Sequence, residues 1–199
     1  VSSYNNIGAR NGGATITDGK IGKSLLLDGS SGYVSVSDAN SLDTEVFDFT
    51  IEAWIKPTDI ATGERVILGK HDSNSTSSTG YAVLQSGDDI YIEVRNTGTE
   101  TAGNVITDSI VPGVWQHIAV VFNRTGSAVG YLNGVQKQSV TISGENGSYS
   151  NSTSIGIGRN PSGANRYFYG ALDNVTLYDS ARTQRGIIKD MMNQHSSVG

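Results

Sequence analysis

Arginine, asparagine and tyrosine crowd one short stretch of this 199-residue chain: Arg159-Asn160-Pro161-Ser162-Gly163-Ala164-Asn165-Arg166-Tyr167-Phe168-Tyr169. Planar amide and guanidinium groups fix hydroxyls, and an aromatic ring stacks on the apolar face of a pyranose. The composition therefore suits sugar recognition, with Arg159, Asn160, Asn165, Arg166 and Tyr167 as candidate contacts and Phe168 assigned to the core. Arg159 and Arg166 have the geometry to hold a uronate or a sulfate bidentately. Candidate companions are Asp72 in the polar loop 71–80, and Arg95 and Asn104 at either side of a second polar stretch.

Hydrolytic chemistry finds less support. Glu45, Asp48 and Glu52 invite comparison with a carboxylate pair, but a strand alternates its side chains, which puts Glu45 opposite to Asp48. Asp48 and Glu52 then share a face about 13 Å apart, whereas retaining glycoside hydrolysis needs roughly 5–5.5 Å. The chain has three histidines, His71, His117 and His195, no cysteine and no Gly-x-Ser-x-Gly elbow, so no nucleophilic triad assembles. Gly156-x-Gly158 lacks the lysine and helix of a phosphate cradle. The expectation is a protein that is not an enzyme.

These residues need a frame, and the dominant period is two. Phe49, Ile51, Ala53 and Ile55 fall on one face of a strand whose other face carries Asp48, Thr50, Glu52 and Trp54. Further strands read at 24–28, 33–36, 66–70, 80–86, 89–95, 105–110, 115–123, 128–132, 134–141, 153–158 and 168–178. Asp88-Asp89 and Asn133-Gly134 mark hairpin turns. About twelve short strands with Gly, Asn and Ser turns predict an all-β, two-sheet antiparallel jelly-roll sandwich. One short C-terminal helix follows, capped by Ser180 or Thr183. Its stripe of Ile187, Ile188, Met191 and Met192 covers a sheet edge, and 194–199 is a frayed tail. Polar loops at 57–64, 71–80, 96–104, 143–152 and 159–167 cluster at sheet ends, where recognition usually sits. With 25 glycines and 3 prolines but no linker, residues 1–199 read as a single domain, long enough to need no disulfide or metal staple.

A net charge of −5 without a Lys/Arg cluster argues against nucleic acid. No window approaches the roughly 20 apolar residues of a membrane span. Sequons at Asn74, Asn123, Asn146, Asn151 and Asn174 point to an extracellular or cell-surface setting.

An ordered set of segments resembles a known family, the laminin-G-like, concanavalin A-like lectin jelly rolls of bacterial and archaeal surface proteins. It runs through Gly19-Lys20-Ile21-Gly22-Lys23-Ser24-Leu25, Leu27-Asp28-Gly29, Tyr33-Val34 and Phe49-Thr50-Ile51-Glu52-Ala53-Trp54-Ile55-Lys56-Pro57. It continues with Trp115-Gln116-His117-Ile118-Ala119-Val120, Tyr131-Leu132-Asn133-Gly134, Ile155-Gly156-Ile157-Gly158 and Gly170-Ala171-Leu172-Asp173-Asn174-Val175-Thr176-Leu177-Tyr178. The resemblance implies a structural role for His117 and one structural calcium ion (Ca2+), for which Asp28 and Asp173 are the candidate ligands. It also implies a further strand ahead of Ser2-Ser3-Tyr4-Asn5-Asn6. This chain begins at Val1, so one sheet edge is expected to stand open to a strand from elsewhere.

The function expected from the resemblance is a non-catalytic carbohydrate-binding or adhesive module of a larger extracellular protein, with a glycan or polysaccharide as partner. The alternative is a structural subunit of a surface layer, filament or viral appendage, joined to neighbouring protein chains through that open edge.

Overall fold

A computed structural model describes residues 6–71, 78–96 and 98–193. Asp72 and the 194–199 tail lie outside the described residues. Two seven-stranded sheets pack face to face. The first contains β1 (Gly8–Asn11), β4 (Tyr33–Val36), β6 (Glu64–Lys70), β7 (Gly80–Ser86), β8 (Asp89–Asn96), β9 (Thr99–Ile106) and β13 (Ile155–Ile157), in the order β1-β4-β13-β6-β7-β8-β9. The second contains β2 (Thr15–Asp18), β3 (Lys23–Asp28), β5 (Phe49–Pro57), β10 (Gln116–Phe122), β11 (Ser127–Leu132), β12 (Val135–Thr141) and β14 (Tyr169–Tyr178), in the order β12-β11-β10-β5-β14-β3-β2. All pairings between these strands are antiparallel. This is the jelly-roll sandwich that the alternation predicts.

The inward rows of both sheets make one core. Phe49 stacks on Phe122 with ring centroids 4.3 Å apart and meets Tyr81 at 4.8 Å. The Tyr81 hydroxyl donates to the Leu42 carbonyl at 2.9 Å, which gives a buried phenol its required partner. Two buried cations tie the loops to this core. Lys70 reaches Asp38 at 2.6 Å and Asp43 at 3.1 Å and donates to the carbonyls of Asn151 and Thr153. Arg124 lies 3.3 Å from the Tyr149 ring centroid and donates to the carbonyls of Glu45, Glu145 and Gly147. Burial lowers the Arg124 pKa from its usual range and pushes the Tyr149 hydroxyl up to about 12.

Three departures from the sequence expectation are informative. β9 covers Thr99–Ile106, where the expectation was a loop to 104 and a strand from 105 to 110. Its Gly and Ala positions carry no hydrophobic alternation, yet Gly103 permits close approach: a Cβ there would lie 2.9 Å from Val140 of β12. β1 and β2 are short and mostly exposed, so burial leaves no apolar signature on them. The helix α1 (Gln184–Asn193) is capped by Thr183, whose Oγ1 accepts from Gly186 N at 3.1 Å. Ile187 buries against Ala119, Val121 and Tyr131 on the outer face of the second sheet, while Met192 is exposed to solvent. The helix therefore lies on a sheet face, not along an edge.

The two long sides of the sandwich differ. Near β9 and β11 the sheets close tightly, and a Cβ on Gly130 would come 2.2 Å from the Val105 carbonyl oxygen. On the opposite side they stand apart. β14 pairs with β3 only over Tyr169–Leu172, and past a bulge between Asp173 and Thr176 its last residues pair with β5 alone. A cleft of about 720 Å³ opens there, with Val34, Val36, Ile155 and Ile157 on one wall and Val175 and Leu177 on the other.

Candidate functional site

The outer face of the first sheet collects most of the residues that the sequence singled out. Along β8, Ile90, Ile92 and Val94 point into the core, so Tyr91, Glu93 and Arg95 point away from it. Register sets Tyr91 beside Asn104 of β9, Glu93 beside Ala82 of β7, and Arg95 beside Glu100 of β9. The loop 159–168 folds across this face, and Pro161 sits over Gly69 of β6. Arg166 adopts a left-handed φ of 54° and its carbonyl accepts from Val66 N at 2.9 Å. That conformation costs energy for a non-glycine residue, and side-chain contacts fix it.

Those contacts are ionic. Arg166 bridges Glu93, at 2.8 and 3.0 Å, and Glu64 at 2.6 Å. His71 Nε2 lies 2.9 Å from the other side of Glu93. Burial acts to raise the Glu93 pKa, but His71 and Arg166 outweigh it and hold the carboxyl below its ordinary value. Burial, with Glu64, Glu93 and Glu100 nearby, raises the Tyr91 pKa.

The remaining predicted residues divide by what their side chains already do. Asn160 is buried; it donates to Asn165 Oδ1 at 2.9 Å and accepts from Ser162 N at 3.3 Å, so this pair shapes the loop from within. Arg95 pairs with Glu100 at 3.0 Å, and Asn104 donates to Asp89 at 2.5 Å. At the other end of the face, the Arg159 guanidinium stacks on Tyr33 of β4, 3.7 Å from the ring centroid, with Tyr167 at 5.9 Å. Arg95, Asn104, Arg159, Arg166 and Tyr167 thus belong to one sheet face and its overlying loop. Tyr33, a lesser sequence candidate for stacking, belongs there too, as do Glu64, Tyr91 and Glu93, which were not singled out. The polar row Tyr91-x-Glu93-x-Arg95 between buried isoleucines and valine was the available signal.

The proposed calcium ligands stand apart. Asp28 lies opposite Tyr169 in the β3–β14 register, and Asp173 is four positions further along, about 13 Å away. Asp28 accepts from Ser30 N, Ser31 N, Gly32 N and Ser31 Oγ at 2.7–3.0 Å; the backbone donors depress its pKa strongly. Asp173 accepts from Ile21 N at 3.0 Å. Amide N–H groups bond to Asp28 Oδ1 and to Asp173 Oδ2, and at this separation the two carboxylates do not share one calcium ion. A different trio, Asp88, Asp89 and Asp108, brings carboxylate oxygens within 4.8 Å of one another, but Asp89 already accepts from Asn104 and Asp108 N.

The carboxylates considered for hydrolysis are also committed. Glu52 and His117 face each other at 3.4 Å, fully buried on the outer face of the second sheet beside Trp54. Asp48 accepts from Arg124 N. Glu64 and Glu93 share a face but are neutralised by the same arginine.

Residues 28–188 match the family model Laminin_G_3, described as the concanavalin A-like lectin/glucanases superfamily. The chain belongs to this family. Among solved structures, the lectin-like fold here is similar to the binding domain of Paraclostridial mosquitocidal protein 1, with 18% identity and a TM-score of 0.76, covering 98% of this chain and 48% of that one. It is also similar to domain 4 of AbnA, an extracellular arabinanase from Geobacillus stearothermophilus solved with arabinotriose, with 22% identity and a TM-score of 0.68 over 94% and 90% of the two chains. A third is the binding domain of botulinum neurotoxin DC in complex with rat synaptotagmin II, with 14% identity and a TM-score of 0.73 over 96% and 48%. The chain spans about half the length of the toxin binding domains it matches. At these identities the likeness shows the fold. No curated protein matches the chain. No helix among the described residues is long and apolar enough to cross a membrane.

Proposed function

We propose that this chain is a non-catalytic carbohydrate-binding module of a larger extracellular protein, taking a glycan on the outer face of the first sheet. The observation that carries the reading is that Tyr33, Tyr91, Tyr167, Arg95, Asn104, Arg159 and Arg166 share this one face and its overlying loop, spread along it from β4 to β9. Half-buried rings and fixed planar donors are the chemistry a pyranose or furanose requires. Membership in a lectin/glucanase superfamily and the fold shared with an arabinanase domain solved with arabinotriose support it. The pairing of Glu64 and Glu93 with Arg166 and of Glu100 with Arg95 supports binding without turnover. Affinity electrophoresis through gels containing arabinan, xylan, polygalacturonate and chondroitin sulfate tests the reading. Retardation in at least one gel, persisting in EDTA, is expected; unretarded migration in every gel overturns it.

The end of β14 favours a second reading, assembly with a neighbouring chain by strand addition. Among the described residues nothing pairs with Val175–Tyr178 on the β3 side, beside an apolar cleft, and these are the two features that strand addition uses. Sedimentation velocity over a hundredfold concentration range should show association that Leu177→Lys abolishes; a monomer throughout removes this reading.

A further inference from the structure

Counting charge on the proposed glycan face separates one arginine from the others. Arg166 is compensated by Glu64 and Glu93, Arg95 by Glu100, and Arg65, on the neighbouring strand, by Asp59. Arg159 has no carboxylate partner among the described residues. One Nη makes a long 3.5 Å bond to the Pro161 carbonyl, and its Nε is buried without a hydrogen-bond partner. Its position is nevertheless well fixed. The guanidinium lies on the Tyr33 ring, with Tyr167 beyond it, and the following Asn160 is locked by the Asn165 and Ser162 bonds. Stacking on an aromatic ring holds the plane of a guanidinium and leaves its N–H edge free to donate.

A partly desolvated cation without a counter-ion is costly, and a bound anion removes that cost. Asn11, opposite Tyr33 in the β1–β4 register, donates to the Ser35 hydroxyl at 3.1 Å, so neutral hydrogen-bonding groups flank the strand position on whose ring the guanidinium stacks. We infer that Arg159, stacked on Tyr33, is the anion-recognising residue of this face, and that the glycan it takes carries an acidic group, a uronate carboxylate or a sulfate ester. The inference rests on the carbohydrate-binding reading above. It adds that acidic glycans are preferred over neutral ones and that one residue sets the preference. A bidentate, charge-assisted contact has both the geometry and the strength to do so. The net charge of −5 means that unspecific attraction of polyanions does not supply the binding, so loss of this single contact is visible.

The test compares the wild type with Arg159→Gln and with a control, Arg185→Gln, on the helix α1 away from this face. Affinity electrophoresis uses polygalacturonate, chondroitin sulfate and arabinan. A parallel NMR titration follows the Arg159 side-chain N–H signals with glucuronate and with methyl glucoside as monosaccharide probes. The expected result is stronger retention in at least one acidic polymer than in arabinan. Arg159→Gln should weaken that retention about tenfold or more at unchanged Tm, and glucuronate alone should shift the side-chain signals. Equal retention of wild type and Arg159→Gln in the acidic gels, or retention in arabinan alone, overturns the inference and leaves carbohydrate binding standing. Absence of retention in all three gels and in xylan, with no shift from either probe, removes both.

Discussion

Replacing Lys70 by Met tests whether the loops above the core are pinned by one buried cation. The Lys70 side chain is 0% exposed and its Nζ meets four oxygens: Asp38 at 2.6 Å, Asp43 at 3.1 Å, Asn151 O at 2.7 Å and Thr153 O at 3.0 Å. Methionine keeps most of the volume and removes every one of these contacts. Removing one partner of a buried ion pair costs about 3–5 kcal/mol, largely because the other charge is stranded. Asp38 is 37% exposed and regains water, whereas Asp43, at 15%, regains little. Each orphaned carbonyl adds about 1 kcal/mol. With Asp38 partly rehydrated, these contributions place the loss at the low end, about 5 kcal/mol, a fall in Tm of about 10–20 °C for a domain of this size. Urea denaturation with an unchanged m-value measures it. Asp43→Asn in the Lys70→Met background should recover part of the loss, since it removes the more deeply stranded charge. Lys23→Met is the contrasting control, because the Lys23–Asp18 pair is solvent-exposed and screening by water and salt leaves it little to lose. A loss below about 1 kcal/mol for Lys70→Met would refute the assignment of Lys70 as the pin.

Gly130→Ala forces a methyl group against the Val105 carbonyl on the closed side of the sandwich, and an overpacking loss of about 1–3 kcal/mol is expected in the same urea assay. Asp28→Ala should lower stability by a constant amount above about pH 5. The folded-state pKa of Asp28 is depressed by its amide donors, so its contribution is complete above the unfolded value near 3.9 and fades as the pH drops further. Thermal melts of both proteins from pH 7 to pH 2 should therefore converge at the acid end. Arg166→Ala strands the buried Glu93 carboxylate; it should cost about 3 kcal/mol or more in urea, and Glu93→Gln in the same background should restore part of it.

The alternation of β5 was enough to name its core face residue by residue, because Phe49, Ile51, Ala53 and Ile55 are all buried by the facing sheet. β9 was not legible for the opposite reason. Its contacts depend on the absence of a side chain at Gly103, and a missing group leaves no period to detect. The sugar-binding candidates show the same division. Composition drew attention to the loop 159–167 and to Arg95 and Asn104, and the sheet places them on one face. Which of them keeps free donors was hidden, since Arg166 and Glu93 are 73 positions apart and only the strand register brings them together. Asn160, a candidate by the loop's composition, is buried, and its side chain bonds to Asn165 and Ser162 within the loop, a role that composition does not reveal.

The ion pairs also bear on the proposal that this face binds a glycan without cleaving it. A retaining or inverting hydrolase needs one carboxyl protonated and one free, both open to the scissile bond. Here Glu64 and Glu93 converge on a single guanidinium, and Glu93 is held ionised and buried between Arg166 and His71. An acid so stabilised as an anion has no proton to deliver to a leaving group. The same pairs hold the left-handed Arg166 and so carry the loop that presents Arg159 and Tyr167. Charge in this part of the molecule is spent on rigidity, and the rigid loop leaves one stacked guanidinium uncompensated at its rim. Neutralised pairs inside and, among the described residues, an unpaired cation at the edge are what the proposed recognition surface would require of its scaffold.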